Sequence, residues 1–98
     1  MQSKKDIIEI LSSQKLYLKE KYNVNDIAIF GSYAREENTP QSDVDILVEF
    51  DKQIGFKYFE LADYLEKVLN CKVDLFTFKS IKQKPLLWES IKKEIINV

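Results

Sequence analysis

Two apolar runs, Ile27-Ala28-Ile29-Phe30 and Val44-Asp45-Ile46-Leu47-Val48-Glu49-Phe50, constrain the fold more than any other feature of the chain. Both are too short for a core helix and both are rich in β-branched residues, so each predicts a buried strand. Lys72–Phe78 alternates, carries Val, Phe and Thr, and predicts a third strand. Around these runs the period is helical. Ile7, Ile10, Leu11 and Leu18 share one face of a predicted helix over Ser3–Tyr22. Ser3 with Asp6 three residues on marks its start, and Asn23 and Asn25 mark its end. Phe59, Ala62, Leu65 and Leu69 share a face over Gly55–Leu69, with Asn70 as the C-cap. Pro85 opens a last helix running to Ile95, with Leu87, Ile91 and Ile95 as its stripe. Ser32–Glu37 predicts one or two helical turns, Asn38–Ser42 a polar turn, and Ser80–Gln83 a turn with capping character. The order α-β-(short α)-β-α-β-α predicts an α/β (α+β) fold, a small mixed sheet of three or more strands with helices packed on it.

The chain has 98 residues, and only two Gly and two Pro, so it has room for one domain, 1–98, with few and short loops. No stretch approaches the roughly 18–20 apolar residues of a membrane span. Met1-Gln2-Ser3-Lys4-Lys5-Asp6 lacks the apolar core of a secretory signal, and a reducing, cytoplasmic setting is expected. The absence of His excludes Ser-His-Asp, Cys-His and His-metal mechanisms, and the single Cys71 excludes an internal disulfide and a Cys-rich zinc site. Chemistry falls to carboxylates, hydroxyls, Lys or the one Arg, Arg35. A formal net charge of −1 argues against direct nucleic-acid binding, which needs a basic face.

The informative constellation is Gly31-Ser32-Tyr33-Ala34-Arg35 followed by Asp43-Val44-Asp45. Asp43 and Asp45 are two apart, so on a strand both leave one face, while Val44, Ile46, Val48 and Phe50 take the other, toward the core. Two ionised carboxylates side by side need a cation or an upward pKa shift. Hard oxygen ligands without Cys or His point to Mg²⁺ or Mn²⁺. A Gly at a strand end admits a phosphate close to the backbone, and the N–H groups and Ser32 hydroxyl of the following turn suit an anion. On the third strand Lys72, Asp74 and Phe76 share a face. If that strand lies beside the second, Asp74 joins Asp43 and Asp45 as a third metal ligand or as a general base.

At these residues the chain resembles the minimal nucleotidyltransferases of the DNA polymerase beta-like superfamily. The resemblance is carried by Gly31–Arg35, by Ser42-Asp43-Val44-Asp45-Ile46-Leu47-Val48 and by Lys72-Val73-Asp74-Leu75, and it covers nearly the whole chain. It implies that Gly31 and Ser32 bind the nucleoside triphosphate, ATP, and that Asp43 and Asp45 ligate Mg²⁺, with Asp74 completing the site. Members resembling this chain are commonly antitoxins that silence a HEPN-domain RNase toxin by moving AMP from ATP to a tyrosine on it. The resemblance therefore implies a hetero-oligomer with that toxin, which also brings the acceptor that a second domain supplies in larger relatives. A non-catalytic antitoxin that occludes the toxin, and a transferase for a small-molecule acceptor, are the alternatives. Glu36 stands where the family very often has Gly, which would put a negative charge near the triphosphate.

Other residues read less specifically. Arg35 suits a phosphate, or an ion pair with Glu36, Glu37 or Asp45. Lys79, Lys82 and Lys84 read as a solvated basic face. Trp88, Leu86 and Leu87 read as core, with a partner-docking surface as the alternative; Phe56, Tyr58, Phe59 and Tyr64 read as core, and Cys71 as a small buried hydrophobe.

Overall fold

The computed structural model describes residues 2–98. Ser3 starts the first helix, α1 (Lys4–Tyr22), with a reciprocal cap. Its Oγ accepts from the Asp6 N–H at 3.2 Å, and the Asp6 carboxylate accepts from the Ser3 N–H at 3.1 Å. The pair satisfies donors that the helix leaves free. Asn23 ends α1 in the left-handed region at φ 57°. Asn25 is no terminator and lies inside β1 (Val24–Phe30), which begins before the apolar run. There follow α2 (Gly31–Ala34), β2 (Val44–Phe50), α3 (Lys57–Leu69), capped by Asn70 at φ 53°, and β3 (Val73–Thr77). The chain closes with α4 (Phe78–Lys82), α5 (Pro85–Ile91) and β4 (Ile96–Asn97). No helix among the described residues is long and apolar enough to cross a membrane.

The strands form one mixed sheet in the order β3-β2-β1-β4, with β2 and β3 parallel and the other pairs antiparallel. One face carries Ile27, Ile29, Val44, Ile46 and Val48, packed against Leu11 and Leu18 of α1 and Leu61, Leu65 and Leu69 of α3. The other carries Ala28, Phe30 and Leu47, packed against Ile81 of α4 and Ile91 of α5. Alternation alone leaves that second face to solvent. The structure corrects this, because α4 and α5 cover it below Asp45 and bury Leu47 completely.

Three expectations about elements change. Ser80–Gln83 is not a turn: Thr77 accepts from the Ser80 N–H at 3.0 Å and caps the short helix α4. The last helix stops at Ile91, short of Ile95, and the chain returns to the sheet. There Ile96 pairs with Ile29 and Asn97 with Ala28, satisfying backbone groups on the open edge of β1. A two-residue strand is too short to show a period. In α3 the buried stripe is Leu61, Leu65 and Leu69, while Phe59 is 66% and Phe56 90% exposed. Phe56 lies before the helix and Phe59 is off the Leu61–Leu65–Leu69 stripe, so apolar character placed them in the core wrongly. Leu86 and Leu87 of α5 are likewise exposed rather than core.

Glu36 has φ 59°, the left-handed region that favours glycine, within a turn closed by the Glu37 N–H on the Ser32 carbonyl at 2.8 Å. Its side chain turns to α1 and pairs with Lys4 at 3.0 Å. The charge expected beside the phosphate therefore points elsewhere. A left-handed non-Gly residue costs roughly 1–2 kcal/mol, whereas an exposed ion pair contributes about 0–1 kcal/mol. Glu36→Gly is predicted to stabilise the fold by about 0.5–1 kcal/mol, read as a rise in Tm of a few degrees.

Candidate active site

The site begins at the end of β1. Gly31 has φ +79° and turns the chain from strand into α2 while remaining buried. A Cβ at that position would lie 2.0 Å from Asp45 Oδ2. Gly31 is thus required twice, by its backbone angle and by the carboxylate lying against it. Asp45 sits across from Phe30 on β1 and, in the parallel ladder, directly across from Asp74 on β3. The condition posed by the sequence is met, since the third strand does lie beside the second and puts Asp74 next to Asp45. Asp43 precedes β2, where the Val44 N–H donating to the Lys72 carbonyl at 2.9 Å extends the pairing.

Gly31, Ser32, Arg35, Asp43, Asp45 and Asp74 all line one open cleft of about 410 Å³. Ser42, Ser90, Ile91 and Glu94 line it too; the sequence placed Ile91 only in the stripe of the last helix and singled out neither Ser90 nor Glu94. Glu94 is the one with contacts of consequence: its Oε2 accepts from the Gly31 N–H at 2.7 Å and from Arg35 Nη1 at 2.7 Å. Arg35 also donates to Glu37 at 3.0 Å. Of the pairings expected for Arg35, the one with Glu37 is present, whereas Glu36 faces Lys4 instead. No local signal could have found Glu94, because it reaches the site only after the chain leaves α5 and heads for β4.

Asp45 carries the electrostatic strain of this arrangement. Burial, then the charges of Asp74, Asp43 and Glu94, push its carboxyl up to about 6, against the opposing pull of Arg35. The acidic face thus has more negative charge than the protein compensates. Asp43, Asp45 and Asp74 offer hard oxygen donors to a divalent cation, and their uncompensated charge fits one. Among the described residues no group of three or more carboxylates or thiols is arranged to hold a metal ion by itself. A Mg²⁺ ion needs only one or two carboxylates when substrate phosphates complete its shell. A second cavity, about 660 Å³, adjoins the cleft, sharing Ser42 and Asp43 and adding Gln2, Tyr33 and Cys71. Cys71 is half-buried there, and burial pushes its thiol up, away from reactivity.

The family described as nucleotidyltransferase domain matches residues 11–98. The chain belongs to that family. Over its whole length it is 50% identical to the full length of a Methanocaldococcus jannaschii protein named "Putative protein adenylyltransferase MJ1379". It is 38% identical to the protein adenylyltransferase MntA of Thermococcus cleftensis, over 95% of this chain and 93% of that one. Among solved structures it is similar to a chain in the crystal structure of a toxin–antitoxin with AMP-PNP, at TM-score 0.57 and 28% identity. That alignment covers 81% of this chain and 60% of the other. As a nucleotidyltransferase domain, the chain has its strand-end glycine, its paired strand carboxylates and its neighbouring-strand carboxylate on one cleft.

Two predictions follow from this geometry. Gly31→Ala forces a methyl into the Asp45 carboxylate at an unfavourable φ, and should cost about 2 kcal/mol or more in stability by denaturant melts. Asp45 holds a proton in the folded state at pH values where the unfolded chain, titrating near 3.8, has lost it. Its contribution is therefore most favourable below about pH 4 and is lost as pH rises through about 6. Asp45→Asn should raise the Tm of the metal-free protein more at about pH 7.5 than at about pH 5. An equal gain at both pH values would remove the strain assigned to Asp45.

Proposed function

We propose that this chain is the antitoxin of a toxin–antitoxin pair and transfers AMP from ATP to a tyrosine hydroxyl of a HEPN-domain RNase toxin, neutralising it. The observation that carries the reading is the cross-strand pairing of Asp45 with Asp74, with Gly31 held against Asp45 and Asp43 at the mouth. It is supported by full-length similarity to proteins named protein adenylyltransferases. The similarity to a chain from a toxin–antitoxin structure with AMP-PNP, an ATP analogue, supports ATP as donor and a toxin as partner.

In this reading Gly31 and Ser32 orient the triphosphate through the backbone N–H and the hydroxyl. Asp43 and Asp45, with Asp74 beside them, hold Mg²⁺ or Mn²⁺, which when bound supplies positive charge to the phosphates and to the attacking and leaving oxygens. Asp74, exposed on its strand, either takes the proton of the incoming hydroxyl or helps hold the cation. The tyrosine oxygen forms a bond to the α-phosphorus while the bond to the bridging oxygen breaks, and pyrophosphate leaves. Residues 1–98 act as one minimal domain, the toxin presents its own tyrosine to the cleft, and a cytoplasmic hetero-oligomer results.

The test is the intact mass of the HEPN toxin after incubation with this chain, ATP and Mg²⁺. Mass should increase in AMP steps, and Asp43→Ala or Asp45→Ala should slow the gain by roughly 10²-fold or more. A toxin of unchanged mass that is still bound and silenced would replace transfer with occlusion.

A further inference from the structure

Glu94 occupies the donors that a nucleotide phosphate needs. A single oxygen, Oε2, takes both the Gly31 N–H and Arg35 Nη1, each at 2.7 Å. Those distances are typical of charge-assisted hydrogen bonds, and a phosphate oxygen has the same charge sign and acceptor geometry. The glutamate side chain is only 18% exposed, so it lies in the cleft rather than over it. Its position is costly in charge. Asp43, Asp45 and Asp74 line the same cleft, and Arg35 is the one cation among the lining residues described. A fourth carboxylate there is held by its hydrogen bonds against the repulsion of its neighbours.

The backbone gives this carboxylate a way out. Glu94 lies in the turn between α5 and β4, outside both elements. The strand behind it is anchored independently, by pairing of Ile96 with Ile29 and Asn97 with Ala28 and by the Val98 N–H on the Ile27 carbonyl at 3.0 Å. A rotation of the side chain in that turn frees Gly31 and Arg35 without breaking the sheet edge. Arg35 keeps a second partner, Glu37 at 3.0 Å, so it remains aimed near the turn after Glu94 leaves.

We infer that Glu94 is an internal anion standing in for a nucleotide phosphate oxygen, which a polyphosphate must displace from Gly31 and Arg35 in order to bind. The inference rests on the nucleotidyl-transfer reading for its ligand and adds a residue that sets the affinity of the site. A glutamate occupying the donors most of the time weakens apparent affinity by the fraction of molecules left open. Removing it therefore tightens binding. A permanent brace of the turn makes the opposite prediction, since removing a brace loosens binding.

The experiment titrates inorganic tripolyphosphate with Mg²⁺ into the wild-type chain, Glu94→Gln and Glu94→Ala, by calorimetry. Both variants should bind about fivefold to tenfold more tightly than wild type. Equal or weaker binding by folded variants overturns the inference, as does the absence of binding by all three proteins. If the variants fail to fold, the wild type decides through its Gly31 amide resonance. That resonance should shift on tripolyphosphate addition, and an unmoved signal at saturation overturns the inference. The toxin mass assay is read separately. Transfer by the wild type with no tightening in the variants removes the role of Glu94 alone, whereas tightening without transfer removes the proposed reaction alone.

Discussion

The contact between Gly31 and the Asp45 carboxylate is the constraint on which the rest of the site depends. It brings the turn after β1 against an acidic side chain of β2, closer than any residue with a Cβ permits. Asp45 in turn faces Asp74 across a parallel ladder, a like-charge pair that destabilises a sheet in the absence of a compensating ion. Such an arrangement has no value as packing. It violates the local rule that opposed charges should attract, and violations of that kind concentrate where a protein binds or reacts. The upward shift of the Asp45 carboxyl is the electrostatic record of the same conflict.

The sheet can hold this conflict because both of its faces are covered. α1 and α3 bury one face with large aliphatic side chains, and α4 and α5 bury the other as far as Leu47. Asp45, two residues earlier on the same face as Leu47, marks the boundary where cover ends and the cleft begins. Hydrogen-bonded strands thus place Asp45 and Asp74, and the donors and their acceptor come from turns. The turn after β1 supplies donors, and the turn before β4 supplies the glutamate that fills them.

Much of this was legible in the residues. The helix α1 announced itself through Ser3, Asp6 and Asn23, because caps act through bonds among near neighbours. β2 was legible to its ends, since a run buried on one face and acidic at its head has few other solutions. The constellation of Gly31, Ser32, Asp43 and Asp45 was visible at fixed spacing, and Asp74 was visible through strand alternation on the condition that β3 lies beside β2, which it does. What failed were judgements of burial by residue type. Phe56 and Phe59 looked like core and are exposed, because the face of α3 turned to the sheet is the Leu61, Leu65 and Leu69 stripe. Glu36 looked like a charge in the site and proved to be a left-handed turn residue facing Lys4.

The sequence by itself determined the three longer strands and the principal helices, and which carboxylates share a strand face. Those properties follow from periodicity and from hydrogen bonds between residues a few positions apart. Only the tertiary structure decided that β3 lies parallel to β2 in the register that sets Asp74 opposite Asp45. It alone decided that the chain closes with β4 on the free edge of β1, and that Glu94 lands on the Gly31 N–H. Register and edge pairing join residues distant along the chain, and they are selected by the burial of whole faces, a quantity that no local window of residues contains.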